Sequence, residues 1–197
     1  AVTNTQVDIQ FSEPVDLTTS EDNENYAVDG NIDVTSASRD NENASIVHLT
    51  VNPLTNGASY TLTVNGVEDE SGNVILADSE QTFQYLLIEE AQPNDVIINE
   101  FMTNTDDGNN DFVEILNISE KYIDLAGWVI NDKGASSPTP TDPLSSYIFE
   151  PGEYLILYKS NSEVDYSVFG ESLQVGSNGF TFNDSDDQIE ISNESSE

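Results

Sequence analysis

Three short acidic clusters hold the side chains of this sequence best suited to binding a cation. The densest is Asp106-Asp107-Gly108-Asn109-Asn110-Asp111, between one apolar run carrying Glu100 and another carrying Glu114. Calcium takes about six to eight oxygen ligands from carboxylates, amides and carbonyls, often gathered in one loop. Asp106, Asp107, Asn109 and Asp111, with Glu114 as a closing carboxylate, are therefore the candidate metal ligands, and calcium is the candidate cofactor. The other clusters are Asp69-Glu70-Ser71-Gly72-Asn73 and Asn183-Asp184-Ser185-Asp186-Asp187. None has the D-x-[DN]-x-[DN]-G-x5-E spacing of the EF-hand loop. Asp, Asn and Gly are also what tight turns require for backbone reasons alone. Both readings stand at this stage.

Catalysis has little to draw on. The single histidine, His48, sits in V-H-L-T-V on the face opposite Val47, Leu49 and Val51. That position predicts a solvent-facing or interface side chain, whereas a general base needs a positioned partner and a pocket. No serine lies in a G-x-S-x-G elbow or an S-x-x-K pair, and neither a glycine-rich phosphate loop nor H-E-x-x-H occurs. Paired carboxylates of the glycosidase kind stay open in so acidic a chain. The expectation is a chain with no catalytic residues that is not an enzyme. Asn-x-Ser sequons at Asn43, Asn117, Asn183 and Asn193 are explained by the abundance of both residues.

The charge balance narrows the partners. Four basic residues stand against 38 acidic ones, a formal net charge of -34 in 197 residues. Phosphate binding needs Lys and Arg to displace counterions, so nucleic acid is excluded, and anionic membrane surfaces are disfavoured on the same ground. Self-repulsion on this scale destabilises a compact chain unless ions screen it or bind it. There is no cysteine, hence no disulfide framework or thiolate site. No apolar run approaches the length of a membrane-spanning helix, so no membrane insertion is expected. Ala1-Val2 leads almost at once into a strand and the chain stops just after one, which reads as a piece of a longer polypeptide.

The elements that must position these residues are strands. Val7, Ile9 and Phe11 alternate with polar residues, as do Val47, Leu49 and Val51, then Tyr60, Leu62 and Val64, then Phe83, Tyr85 and Leu87. Period two means one buried and one wet face. Asn56-Gly57 and Asn65-Gly66 supply turns between them. Glu89 to Asn94 breaks the alternation, which divides the chain into domains at 1–90 and 91–197. In the second, I-I-N-E-F, D-F-V-E-I-L-N-I-S and Y-I-D-L-A-G-W-V-I-N-D are again strand-length runs. Lys133 to Pro143 reads as an exposed loop, Phe149 to Tyr158 as a Pro-Gly turn into a fully buried strand, and Gly179 to Phe182 and Gln188 to Ile191 as the last strands. Expected core residues are Phe11, Leu49, Tyr60, Leu62 and Phe83, then Ile98, Ile115, Trp128, Leu155 and Leu157. The fold class is all-β, two sandwiches in tandem.

Particular words go further. F-S-E-P-V-D at 11–16, V-H-L-T-V-N-P-L at 47–54 and Y-T-L-T-V-N-G-V-E-D-E-S-G-N at 60–73 resemble a bacterial Ig-like repeat, over roughly the first 88 residues. The order I-N-E, V-E-I-x-N, D-L-x-G-W-x-I-x-D, then F-E-P-G-E-Y-L-I-L-Y, resembles the lamin tail domain, itself an immunoglobulin-like module. The resemblance implies structural roles for Glu100 and Glu114 and backbone bonds for Asp69 and Asn73. It further implies a non-catalytic module pair of a secreted or cell-surface bacterial protein, serving presentation, adhesion or protein interaction. The partner would be an unknown protein or cell-surface ligand, and the location extracellular or at the cell surface. The alternative is a pair of accessory domains to a secreted hydrolase or nuclease whose catalytic domain lies elsewhere.

Overall fold

The computed structural model describes residues 2–102, 111–132, 141–159, 162–176 and 188–193. The chain divides into two compact units, Ala1–Leu87 and Ile88–Glu197, each a β-sandwich with its own core.

In the first unit the strands are β1 (Gln6–Gln10), β2 (Tyr26–Val28), β3 (Val34–Arg39), β4 (Ile46–Val51), β5 (Ser59–Val64) and β6 (Ser79–Gln84). They form two antiparallel sheets of order β1-β4-β3 and β2-β5-β6. The alternation sorts faces as expected: Val47, Leu49 and Val51 are buried on β4, and Tyr60, Leu62 and Val64 on β5. Phe11 and Phe83 pack against this core from partly buried positions, Phe83 with its ring stacked on Tyr60 at 5.6 Å. Leu87 is exposed, because β6 ends at Gln84 and alternation past a strand end no longer reports a face. A single helical turn, α1 (Leu17–Ser20), stands where the sequence shows no helical period, since one turn is too short to display one. Asp16 caps it, its carboxylate accepting from the Thr19 N–H at 2.9 Å.

The second unit contains β7 (Val96–Met102), β8 (Phe112–Asn117), β9 (Ile123–Asp124), β10 (Trp128–Asp132), β11 (Ile148–Phe149), β12 (Tyr154–Lys159), β13 (Ser172–Val175) and β14 (Ile189–Asn193). One sheet runs β13-β12-β8-β7, parallel only between β12 and β13. Antiparallel pairs β10-β14 and β9-β11 lie among the remaining strands. Between them Ile115, Ile123, Leu125, Ile130, Phe149, Leu155 and Leu157 are fully or almost fully buried, with Trp128 in the same cluster. Ile98 is partly buried against it.

Two turns set this core. Leu125 to Trp128 closes with the Trp128 N–H on the Leu125 carbonyl at 3.1 Å, and Gly127 at φ +81° occupies the position that requires a left-handed residue. The Pro151-Gly152 turn delivers the chain into β12, where Leu155, Ile156 and Leu157 are buried in succession. Ile156 is covered because its face is not open: Tyr166 packs on Phe112 and Tyr158 of that same face, at ring distances of 5.4 and 4.9 Å. The segment 89–95, where the alternation breaks, is tied to the second unit. The Glu89 N–H donates to the Tyr122 carbonyl, and Lys121 Nζ reaches Asp95 at 2.7 Å. The expected strand 179–182 and most of the expected loop 133–143 lie outside the described residues.

Candidate functional site

The acidic turn is only partly in view. Asp106, Asp107 and Asn109 lie outside the described residues. Asp111 is fully buried just before β8. Glu114 stands on the β8 face opposite Val113 and Ile115, half-buried, where its Oε1 accepts from Asn99 Nδ2 at 2.7 Å. The register places Glu100 directly across from Glu114, through a bulge between Ile98 and Glu100. Like charges opposite one another on neighbouring strands repel. The Asn99 amide, brought alongside by the bulge, supplies Glu114 with a donor.

The second cluster is spent on its own turn. Asp69 Oδ1 accepts from the N–H groups of Ser71 (2.7 Å) and Asn73 (2.8 Å), and Oδ2 accepts from Asn73 Nδ2 (2.6 Å). These bonds, the Asn73 side chain first, hold the Asp69 carboxyl below its ordinary value. That is the backbone role implied for Asp69 and Asn73. The third cluster, 183–187, lies outside the described residues.

His48 faces outward on β4, as its place in the alternation requires, but between two carboxylates. Nδ1 lies 2.8 Å from Asp8 Oδ1 on β1, and Nε2 lies 3.1 Å from Asp40 Oδ2 just past β3. The hydrogen bond to Asp8, then that to Asp40, raises the imidazole above its ordinary value.

One heavily bonded polar side chain of the second unit has a role that sequence reasoning missed. Asn117 ends β8 with no exposed surface. Its Nδ2 donates to the carbonyls of Lys121 (2.8 Å) and Phe149 (3.0 Å), and its Oδ1 accepts from the Ser119 N–H (3.0 Å) and hydroxyl (2.7 Å). Its backbone also pairs with the Pro-Gly turn, donating to Glu153 and accepting from Gly152. A buried amide with this many bonds cannot carry a glycan in the folded state, so the sequon at Asn117 is a coincidence of composition. Thr141 does comparable work for β10, exchanging two backbone bonds' worth of contacts with Ile130 through its N–H and Oγ1.

Trp128 departs from expectation in one respect. The ring is buried, but among the described residues its Nε1–H has no hydrogen-bond partner, although an indole N–H is expected to find one. The ring is packed in the apolar cluster, and no acceptor among the described residues reaches the nitrogen. Beside it, a cleft of about 600 Å³ opens between Glu90–Asn94 and Val96 on one side and Trp128 and Ile191 to Asn193 on the other.

Comparison with known families resolves what these two units are. The Lamin Tail Domain model matches residues 89–197, more than half of the chain. The chain belongs to the lamin tail domain family. Ahead of the lamin tail domain, residues 1–85 match the Bacterial Ig-like domain model, so the two modules stand in the order the sequence motifs imply. Asn117, Trp128 and the Pro-Gly turn are thus features of the lamin tail module, and His48 and the Asp69 turn of the Ig-like one. No curated protein matches the chain. Among solved structures, the N-terminal part of the bacterial S-layer protein SbsC is similar over 78% of this chain and 40% of that one, at 13% identity and a TM-score of 0.42. Domains 1-6 of surface layer protein SbsC align over 81% of this chain and 31% of that one, at 14% identity and a TM-score of 0.40. The chain therefore spans well under half the length of either.

Arg39 and Lys121 are committed locally. Arg39 Nη1 donates to the Val15 carbonyl at 2.7 Å, and Lys121 pairs with Asp95, whose carboxyl it holds below its ordinary value. With 38 acidic and four basic residues, most carboxylates have no cation within the chain. Stability is expected to rise as sodium chloride is added from low ionic strength, because screening relieves repulsion. Melting temperature against salt is the measurement. A flat or falling curve would show charges spaced well enough not to matter.

Proposed function

We propose that this chain is a non-catalytic pair of modules from a bacterial protein displayed outside the cell, serving presentation, adhesion or protein interaction. The observation that carries this reading is the tandem itself, a bacterial Ig-like sandwich followed by a lamin tail sandwich, each closed around its own core. The polar side chains that are bonded in the structure support it. Asp69, Asn117 and Thr141 spend their capacity on the backbone of their own module. The charge suits an exposed, highly hydrated surface. Among the described residues no helix is long and apolar enough to cross a membrane. The test is surface display: the chain expressed with its natural flanking sequence should be reached by antibody on intact bacteria. Retention inside the cell would overturn the reading. The second reading, accessory domains of a secreted hydrolase or nuclease, rests on the same tandem, and a catalytic domain in the flanking gene sequence would establish it.

Calcium at the 106–111 turn is part of the proposal. Its ligands would come from Asp106, Asp107, Asn109 and Asp111, with Glu114 as the closing carboxylate through the oxygen that Asn99 does not engage. A cation bound only by the folded state adds about 2.7 kcal/mol at a hundred times its dissociation constant. Calcium is expected to raise the melting temperature of the native chain and not that of an Asp107→Asn/Asp111→Asn variant. Equal shifts in both would place binding elsewhere, and no shift at millimolar calcium would remove the site.

A further inference from the structure

We propose that Asp8, His48 and Asp40 form a proton-controlled latch across the outer face of the first sheet, closed while the imidazole carries both ring protons and loosened when it loses one. β4 is the central strand of β1-β4-β3, and Asp8 stands directly opposite His48 on β1. Asp40 follows the last residue of β3 and opens the turn back to β4, its Oδ1 accepting from the N–H groups of Glu42 (2.8 Å) and Asn43 (2.7 Å). Its other oxygen meets His48. One imidazole therefore joins both outer strands of the sheet to the middle one.

Carboxylates only accept hydrogen bonds, and both ring nitrogens face one. A neutral imidazole has one N–H and one lone pair, so it satisfies one carboxylate and sets its lone pair against the other at about 3 Å, where two acceptors repel. Only the imidazolium donates to both. The groups facing it are few: Asp8 and Gln6 from β1, whose side chains bond each other at 2.9 Å, Ser38 from β3, and Asp40. Among the described residues the one cation on this sheet is Arg39, and it is turned to the Val15 carbonyl instead. Burial pushes Asp8 up, but the bonds from His48 and Gln6 win and hold it below its ordinary value; the Asn43 N–H, then His48, does the same for Asp40. Both carboxylates are therefore charged throughout the range in which the histidine titrates.

The sign follows. Unfolded, the histidine titrates near the ordinary value of about 6.5, and folded, above it. The latch's contribution is complete below about 6.5 and is lost as pH rises through the folded value. Because the three side chains are each about one third exposed, the effect is a modest shift in melting temperature.

His48 is the only histidine in the chain, so its ring resonances can be followed by NMR without assignment. The native chain is expected to titrate above a free histidine, and Asp8→Asn and Asp40→Asn should each bring the midpoint down. Between pH 6 and 9 the melting temperature of the first unit should fall in the native chain relative to His48→Gln, with the two curves converging at the alkaline end. A native midpoint equal to that of free histidine, or parallel melting curves for the native and His48→Gln chains, would overturn the proposal.

Discussion

Asn117→Ala is expected to destabilise the lamin tail module by roughly 4 kcal/mol, with little effect on the Ig-like module. Asn117 has no exposed surface and makes four side-chain hydrogen bonds, two as donor and two as acceptor. Each buried group stranded by the loss of its partner costs about 1–3 kcal/mol. Of the groups left behind, the Phe149 carbonyl is the most enclosed, since Phe149 itself is fully buried; Lys121 and Ser119 are partly exposed and would find water. Asn117→Asp separates the donor from the acceptor share. It keeps an acceptor for Ser119 but points an oxygen at two carbonyls, so it should cost at least as much as alanine at neutral pH. Trp128 is the single tryptophan and lies in the second unit, so its fluorescence in denaturant reports that module alone. An unchanged midpoint for Asn117→Ala would mean that the network contributes nothing net.

Trp128→Ala should cost about 3–5 kcal/mol, the usual range for removing a buried aromatic ring. The informative partner is Trp128→Phe. The indole N–H is buried with no acceptor among the described residues, and such a group carries a desolvation cost of about 1–3 kcal/mol that phenylalanine does not have. That relief offsets the smaller ring's lost packing, so the phenylalanine variant is expected to be close to the native chain in stability. Circular dichroism or calorimetry must be the readout, since the fluorophore is removed. If phenylalanine proved as damaging as alanine, the N–H itself would be making an interaction that matters, and the adjacent cleft would be the place to look for it.

How much of this was legible beforehand depends on the range over which each feature is encoded. Val47, Leu49 and Val51, or Leu155 and Leu157, declare their buried face through their immediate neighbours, because a strand turns successive side chains to opposite sides. The Asp69 to Asn73 turn is equally local: a carboxylate two to four residues from the N–H groups it accepts is written in one short word of sequence. The same economy made the acidic turn at 106–111 read alike as turn and as cation site, since Asp, Asn and Gly serve both. Of the five residues in that reading, Glu114 is the one whose strand position decided its partner, Asn99 on β7.

Composition, face and module order were therefore determined by the sequence itself: the acidity, the strands, the two sandwiches and the outward position of His48. What only the tertiary structure decided is who meets whom across strands. Nothing near His48 in the chain announces Asp8, forty residues earlier, and nothing near Asn117 announces the Phe149 carbonyl, thirty-two residues later. Alternation fixes which side of a strand a residue occupies, whereas its partner depends on strand order and register. Those are set by the packing of the whole core and by irregularities such as the bulge between Ile98 and Glu100.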